Sequence, residues 1–152
     1  MSKSIWGPPC WFLMHSLATR VKNEKFETIK EELWKLINEI CNNLPCPDCR
    51  NHAMVAMKNA KKGLILRSKQ NLETFLFDFH NNVNKRKGYR VFTKEEYDKR
   101  YQTANLKNVV EVFVNSFNFS TKNSNLMMET FHRQRFIKQF IVWINVNKVN
   151  FE

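Results

Sequence analysis

The sequence predicts an all-α chain: a four-helix bundle, a short fifth helix and a helical C-terminal extension. Three observations carry that reading. Glycine (3) and proline (4) together make up under about 5% of the 152 residues, against a usual ~12%, which is too few for the turns of a β-sandwich or barrel. Apolar residues recur at helical spacing over long stretches. The segments between those stretches are short, which favours antiparallel helix neighbours. Hydrophobic residues form 43% of the chain, and thirteen Phe and four Trp supply bulky core volume. A disordered chain is thereby excluded, and the length suffices for one domain with a real core.

Each element has its own signal. The first helix is read over 10–22, after the Gly7-Pro8-Pro9 break, because proline suits a first helical turn. The second runs from about Phe26 to Cys41. Its Phe26, Ile29, Leu33, Leu36, Ile37 and Ile40 share one face, with Lys and Glu on the other. Asn42-Asn43-Leu44-Pro45 breaks it. The third starts at Cys46 and runs to about Ala60, where Lys61-Lys62-Gly63 supplies the basic residues and glycine of a helix end. The fourth spans roughly Asn71 to Arg86 on a stripe of Leu72, Phe75, Leu76, Phe79 and Val83, and Gly88 stops it. Thr93-Lys94-Glu95-Glu96 resembles a capping box and opens the shorter fifth helix. Two further amphipathic stretches, 106–117 and 125–146, are split by the polar run 120–124. Their Val109, Phe113, Phe117, Phe136, Phe140 and Trp143 point to packing on the bundle or on a partner subunit. Residues 1–105 read as the core and 106–152 as an extension of it, in a single domain.

The bulk numbers exclude several function classes. No apolar run approaches the ~18 residues of a membrane span, the densest being 140–144. The N-terminus carries no continuous apolar core, so no signal peptide is expected. The net charge is +11, but the basic residues are scattered, with only short clusters such as Lys85-Arg86-Lys87. That pattern reads as a solvated surface, with nucleic acid not the main ligand. The four cysteines, Cys10, Cys41, Cys46 and Cys49, are too few and too clustered for a secreted disulfide scaffold.

Cys46-Pro47-Asp48-Cys49 places two thiols one helical turn apart at a helix start. Such a pair can close a small ring and reopen it, as dithiol–disulfide exchange requires. Free amides and the helix dipole favour the thiolate there, and Pro47 removes a donor that would be unpaired anyway. A metal reading stands beside it: Cys41, Cys46, Cys49 and His52 offer four zinc ligands, which would make the chain a zinc-stabilised helical interaction module without catalytic activity. A second constellation joins aromatic, amide and cationic groups. Trp11 and His15, four apart, share a helix face. His80, Asn81 and Asn84 cluster near the end of the fourth helix, with Val83 directed inward and Lys85, Arg86 and Lys87 following. A flat aromatic ligand carrying phosphates suits this set.

Taken in order, Trp6-Gly7-Pro8 with Trp11-x3-His15, then Cys46-x-x-Cys49, then His80-Asn81-x-Val83-Asn84, the motifs resemble the Erv/ALR family of FAD-linked sulfhydryl oxidases over about residues 5–105. The resemblance implies a small helical bundle, usually a homodimer, that binds FAD non-covalently and oxidises thiols in protein substrates or in a small redox carrier protein, passing electrons to oxygen to give hydrogen peroxide. It assigns Gly7, Trp11 and His15 to the first cofactor segment and His80, Asn81, Val83 and Asn84 to the second. Lys85 and Lys87 fall near the phosphates or ribose, and Lys87 replaces a usually aliphatic residue. Leu44 stands where cellular members often carry an aromatic beside the dithiol, and Arg100-Tyr101 where members carry Arg-Trp. By the same analogy Cys49 is the flavin-proximal sulfur and Cys46 the one that meets substrate. With no cysteine after Cys49, the chain looks most like the minimal members encoded by large DNA viruses, which implies the host cytoplasm and the virion as its location. Cys10 and Cys41 are left as a disulfide, if the first two helices bring them together, or as small buried hydrophobes; in both cases turnover should not require them.

Overall fold

The computed structural model describes residues 3–117 and 127–152; the polar break at 120–124 and the first two residues of the expected 125–146 stretch lie outside them. The described residues form eight α-helices: α1 (Lys3–Arg20), α2 (Asn23–Asn42), α3 (Pro47–Asn59), α4 (Lys62–Ile65), α5 (Lys69–Lys87), α6 (Lys94–Tyr101), α7 (Leu106–Phe117) and α8 (Met127–Asn147), with a closing 3-10 turn at Lys148–Asn150. The fold is all-α, and the only β-type pairing among them is an isolated bridge between Val21 and Phe151.

The helix α1 is the axis of the molecule. Leu13, Met14, His15, Ser16, Leu17, Ala18 and Thr19 are all buried in succession, so this helix has no solvent face along its second half. It touches α2, α5, α6 and α7. Its start differs from expectation: the helix begins at Lys3 and holds Pro8 and Pro9 inside it rather than starting after them. Each proline removes one ladder bond. Gly7, with no Cβ, relieves the crowding that Pro8 imposes on the residue before it; the helix continues through Pro9 as well.

Around this axis the other elements follow their sequence signals closely. Helix α2 buries Phe26, Ile29, Leu33, Leu36, Ile37 and Ile40 as read, and adds Trp34 and Cys41. Helix α3 ends at Asn59 with Ala60 as its cap, and the Lys61-Lys62-Gly63 run opens the one-turn α4 instead of only closing α3. Helix α5 starts at Lys69, two residues before the expected Asn71, because Ser68 caps it: its Oγ accepts from the Asn71 amide at 3.0 Å. Gly88 ends it in the left-handed region, φ 74°, with its amide on the Asn84 and Lys85 carbonyls, a conformation other residues adopt only with strain. Thr93 caps α6 through the Glu96 amide at 3.2 Å.

The C-terminal helices join the same core. Helix α7 lies along α1. Phe113 and Phe117 stack at 4.9 Å between centroids, and Phe140 meets Phe113 edge-on at 5.4 Å. The chain end is strapped to the α1–α2 turn: the Lys22 amide donates to the Asn150 carbonyl at 2.9 Å and the Glu152 amide to the Arg20 carbonyl at 2.8 Å.

Candidate active site

Cys46 is the N-cap of α3, with Pro47 in the first turn behind it. Its Sγ accepts a hydrogen bond from the Cys49 amide at 3.2 Å. Both sulfurs are half-buried. Burial pushes both thiols up, yet the two separate. For Cys46, burial is outweighed by hydrogen bonds from the Cys49 thiol and amide and by the charge of Lys3, so it titrates below the ordinary range. Cys49, held by burial and by its bond to Cys46, titrates above it, with Lys3 opposing the rise. Of the two, Cys46 is therefore the thiol that gives up its proton first. Cys10 and Cys41 are buried free thiols. Burial raises Cys41 to about 12 and Cys10 well above its ordinary value, with Cys41 adding to the effect, so both stay neutral and unreactive at physiological pH.

Behind the dithiol lies a cavity of about 1040 Å³, bounded by α1, α3, α5, α6 and the 88–92 connection. Such a volume suits a large cofactor. Cys49 lines it, and so do Gly7, Trp11, Leu44, His80, Val83, Asn84, Lys87, Arg100 and Tyr101. Its cations (Lys3, Arg86, Lys87, Arg90 and Arg100) face a single lining carboxylate, Asp78. Aromatic faces and excess positive charge together fit a planar, anionic ligand.

The aromatic wall is ordered by a buried hydrogen-bonded row. Trp11 stacks on His80 with centroids 4.1 Å apart and planes 7° from parallel. His15 Nε2 lies 2.9 Å from His80 Nδ1, and His15 Nδ1 lies 3.2 Å from the Tyr97 hydroxyl. Burial first, then the neighbouring positive charge of Arg100, holds the His80 imidazole down at about 4; burial and His80 hold His15 well below its ordinary value. Both rings are therefore neutral at physiological pH.

Three residues expected at the cofactor, His15, Asn81 and Lys85, do not line the cavity. His15 stands behind His80. Asn81 turns to the 88–92 connection: its Nδ2 donates to the Phe92 carbonyl at 3.0 Å and its Oδ1 accepts from the Phe92 amide at 2.9 Å, which holds the Phe92 ring in the cavity wall. Lys85 is exposed, one residue round the helix from the lining Asn84. Cys46 also lies outside the lining, which leaves Cys49 as the sulfur that faces inward. Sequence reasoning missed Tyr97, Phe92, Arg90 and Lys3. None stands in a motif, and only the packing of α6 and the 88–92 connection against α1 and α5 brings the first three to the site. His52 and Cys41 both line the cavity, but no three His, Cys, Asp or Glu among the described residues converge as a metal site would require; the zinc-module reading is not favoured.

Fold and site define a helical dithiol protein with a cationic, aromatic cavity behind its inner sulfur. The chain belongs to the Erv1 / Alr family, whose model matches residues 8–102. It is 34% identical over 109 residues to an FAD-linked sulfhydryl oxidase of African swine fever virus, isolate Kenya 1950, covering 68% of this chain and 86% of the relative. The protein of the same name from the Namibian warthog isolate is 33% identical over the same shares. A protein of Invertebrate iridescent virus 6 is 31% identical over 103 residues, 64% of this chain and 93% of its own length. Solved structures include no significant match.

Proposed function

We propose that this chain is an FAD-linked sulfhydryl oxidase that makes disulfides in protein thiol substrates, or in a small redox carrier protein, and passes the electrons to oxygen with release of hydrogen peroxide. The observation that carries the reading is Cys49 in the wall of the cationic aromatic cavity while its partner Cys46 caps the helix beside it. FAD, when bound, accepts two electrons from the dithiol and delivers them to oxygen. Trp11, His80 and Tyr101 offer it aromatic faces, Asn84 a buried amide, and Arg86, Lys87, Arg90 and Arg100 charge for its phosphates. Gly7, Leu44 and Val83 complete the wall.

The chain's own residues divide the exchange between them. A substrate thiolate attacks Cys46 Sγ of the oxidised pair, the Cys46–Cys49 bond breaks, and Cys49 leaves as the thiolate. A second substrate thiolate attacks the substrate sulfur of the mixed disulfide and releases Cys46. The lowered pKa of Cys46 makes it the better leaving group in that second step. The two electrons then reside on a pair whose inner member faces the cavity. Kinship with the viral relatives supports action in the host cytoplasm or virion, and the family resemblance supports a homodimer, with residues 1–105 as the oxidase core.

Oxygen uptake with dithiothreitol tests the proposal. Wild type turns over, whereas Cys46→Ser and Cys49→Ser each retain FAD and lose turnover. The double variant Cys10→Ala/Cys41→Ala keeps turnover. Activity surviving in either single variant contradicts the assignment.

A further inference from the structure

The buried row behind the cavity wall ends on a hydroxyl. Tyr97, from α6, is 2% exposed and belongs to none of the motifs. Its hydroxyl lies 3.2 Å from His15 Nδ1, and His15 Nε2 lies 2.9 Å from His80 Nδ1, so side chains of three helices stand in line. Of the three, only His80 lines the cavity. Its ring is fixed between Trp11, stacked at 4.1 Å, and Phe92, tilted 63° to it at 5.3 Å. Its Nε2 has no hydrogen-bond partner among the described residues.

We propose that Tyr97 sets the tautomer of His80 and so makes Nε2, its free nitrogen, a hydrogen-bond donor to the ligand of the cavity. A neutral imidazole carries one N–H and one lone pair, and the bond made at one nitrogen decides the role of the other. The row has two possible directions, and its last member chooses between them. A phenol is a stronger acid than a neutral imidazole, and an imidazole lone pair is a stronger base than a phenol oxygen. The hydroxyl therefore donates and His15 Nδ1 accepts. Burial above all raises Tyr97 well above its ordinary value, so the hydroxyl keeps the proton it shares. His15 then carries its hydrogen on Nε2 and donates it to His80 Nδ1, which leaves the His80 hydrogen on Nε2. The reversed row would present a bare lone pair instead and would select a ligand donor. Tyr97 is thus a positioning residue that acts through two rings without touching the ligand. This rests on the reading of the cavity as the FAD site: the partner of Nε2–H is an acceptor atom, as flavin carbonyls and ring nitrogens are.

The test reads the rings themselves. The protein, purified with its FAD and labelled with heavy nitrogen in its histidines, is examined by long-range proton–nitrogen NMR at slightly alkaline pH. The protonated nitrogen resonates far upfield of the bare one, and only Nε2 couples strongly to both ring C–H protons, so the pattern names the tautomer. In wild type, His15 and His80 should each show the Nε2–H form alone. A wild-type His80 in the Nδ1–H form overturns the proposal with no variant needed. Tyr97→Phe keeps the buried ring and removes the donor; His80 should then lose its single form, with the Nδ1–H form appearing beside it. A His80 that stays wholly Nε2–H in this variant overturns the role of Tyr97. The spectra need neither oxygen nor turnover, so failure of the oxidase reading would show in the uptake assay and leave this result readable on its own.

Discussion

Among the single residues, the buried pair His15 and His80 makes the clearest physical claim. Its geometry, a 2.9 Å contact, holds for neutral rings, one carrying the proton and the other the lone pair. His80 titrates at about 4 in the folded chain against 6.5 for an ordinary histidine, by burial and then Arg100. Protonation therefore favours the unfolded chain. Stability is complete above about pH 6.5 and is lost as pH falls toward about 4, by roughly 3 kcal/mol at the low end for this residue alone. The melting temperature of wild type should fall across that window more steeply than that of His80→Asn; superimposable pH dependences would show that His80 is not held neutral. Asn81 makes a second residue-level claim. Asn81→Ala leaves the Phe92 amide and carbonyl without their partner, at a cost of about 1–3 kcal/mol. It should weaken FAD retention although Asn81 does not line the cavity, and full flavin occupancy after extensive dialysis would contradict this. The sequence singled out both residues by their motif, but it could not say that one stands behind the wall and the other pins it. That distinction depends on Tyr97 and Phe92, which come from other elements.

For whole elements, legibility followed periodicity. Helices α2 and α5 have one apolar stripe each and were readable from it. Helix α1 was placed but started too late, because proline reads as a boundary when its neighbours are unknown, and here Gly7 removes the steric reason for one. The one-turn α4 is too short to show a period at all. The sequence shows the extension as two amphipathic stretches that fit the bundle and a partner subunit equally. In the structure α7 lies on α1, and Phe140 is 1% exposed beside Phe113. Phe140→Ala should therefore destabilise the protein by about 3–5 kcal/mol, as for a core phenylalanine. Chemical denaturation would measure it, and a loss below ~1 kcal/mol would mean that the extension is not part of the core.

For the molecule as a whole, the three motifs become a site because α1 packs on α5 and α3 lines their shared cavity along its length, from Cys49 to Asn59. Sequence order gave the residue types of the dithiol and the aromatic cluster. It did not give their separation or the cations Lys3 and Arg90 in the cavity wall, since these depend on how the helices pack; the assignment of Cys49 as the inner sulfur came from the family resemblance and not from spacing. In the proposed reaction electrons leave the dithiol through Cys49 into the cavity. Anaerobic mixing of the purified protein with dithiothreitol, followed by the visible absorbance of its flavin, tests this most directly. Wild type should be yellow and should bleach on mixing, while Cys49→Ala should be equally yellow and stay so. A colourless wild-type protein, or bleaching of the Cys49→Ala flavin at the wild-type rate, would contradict it.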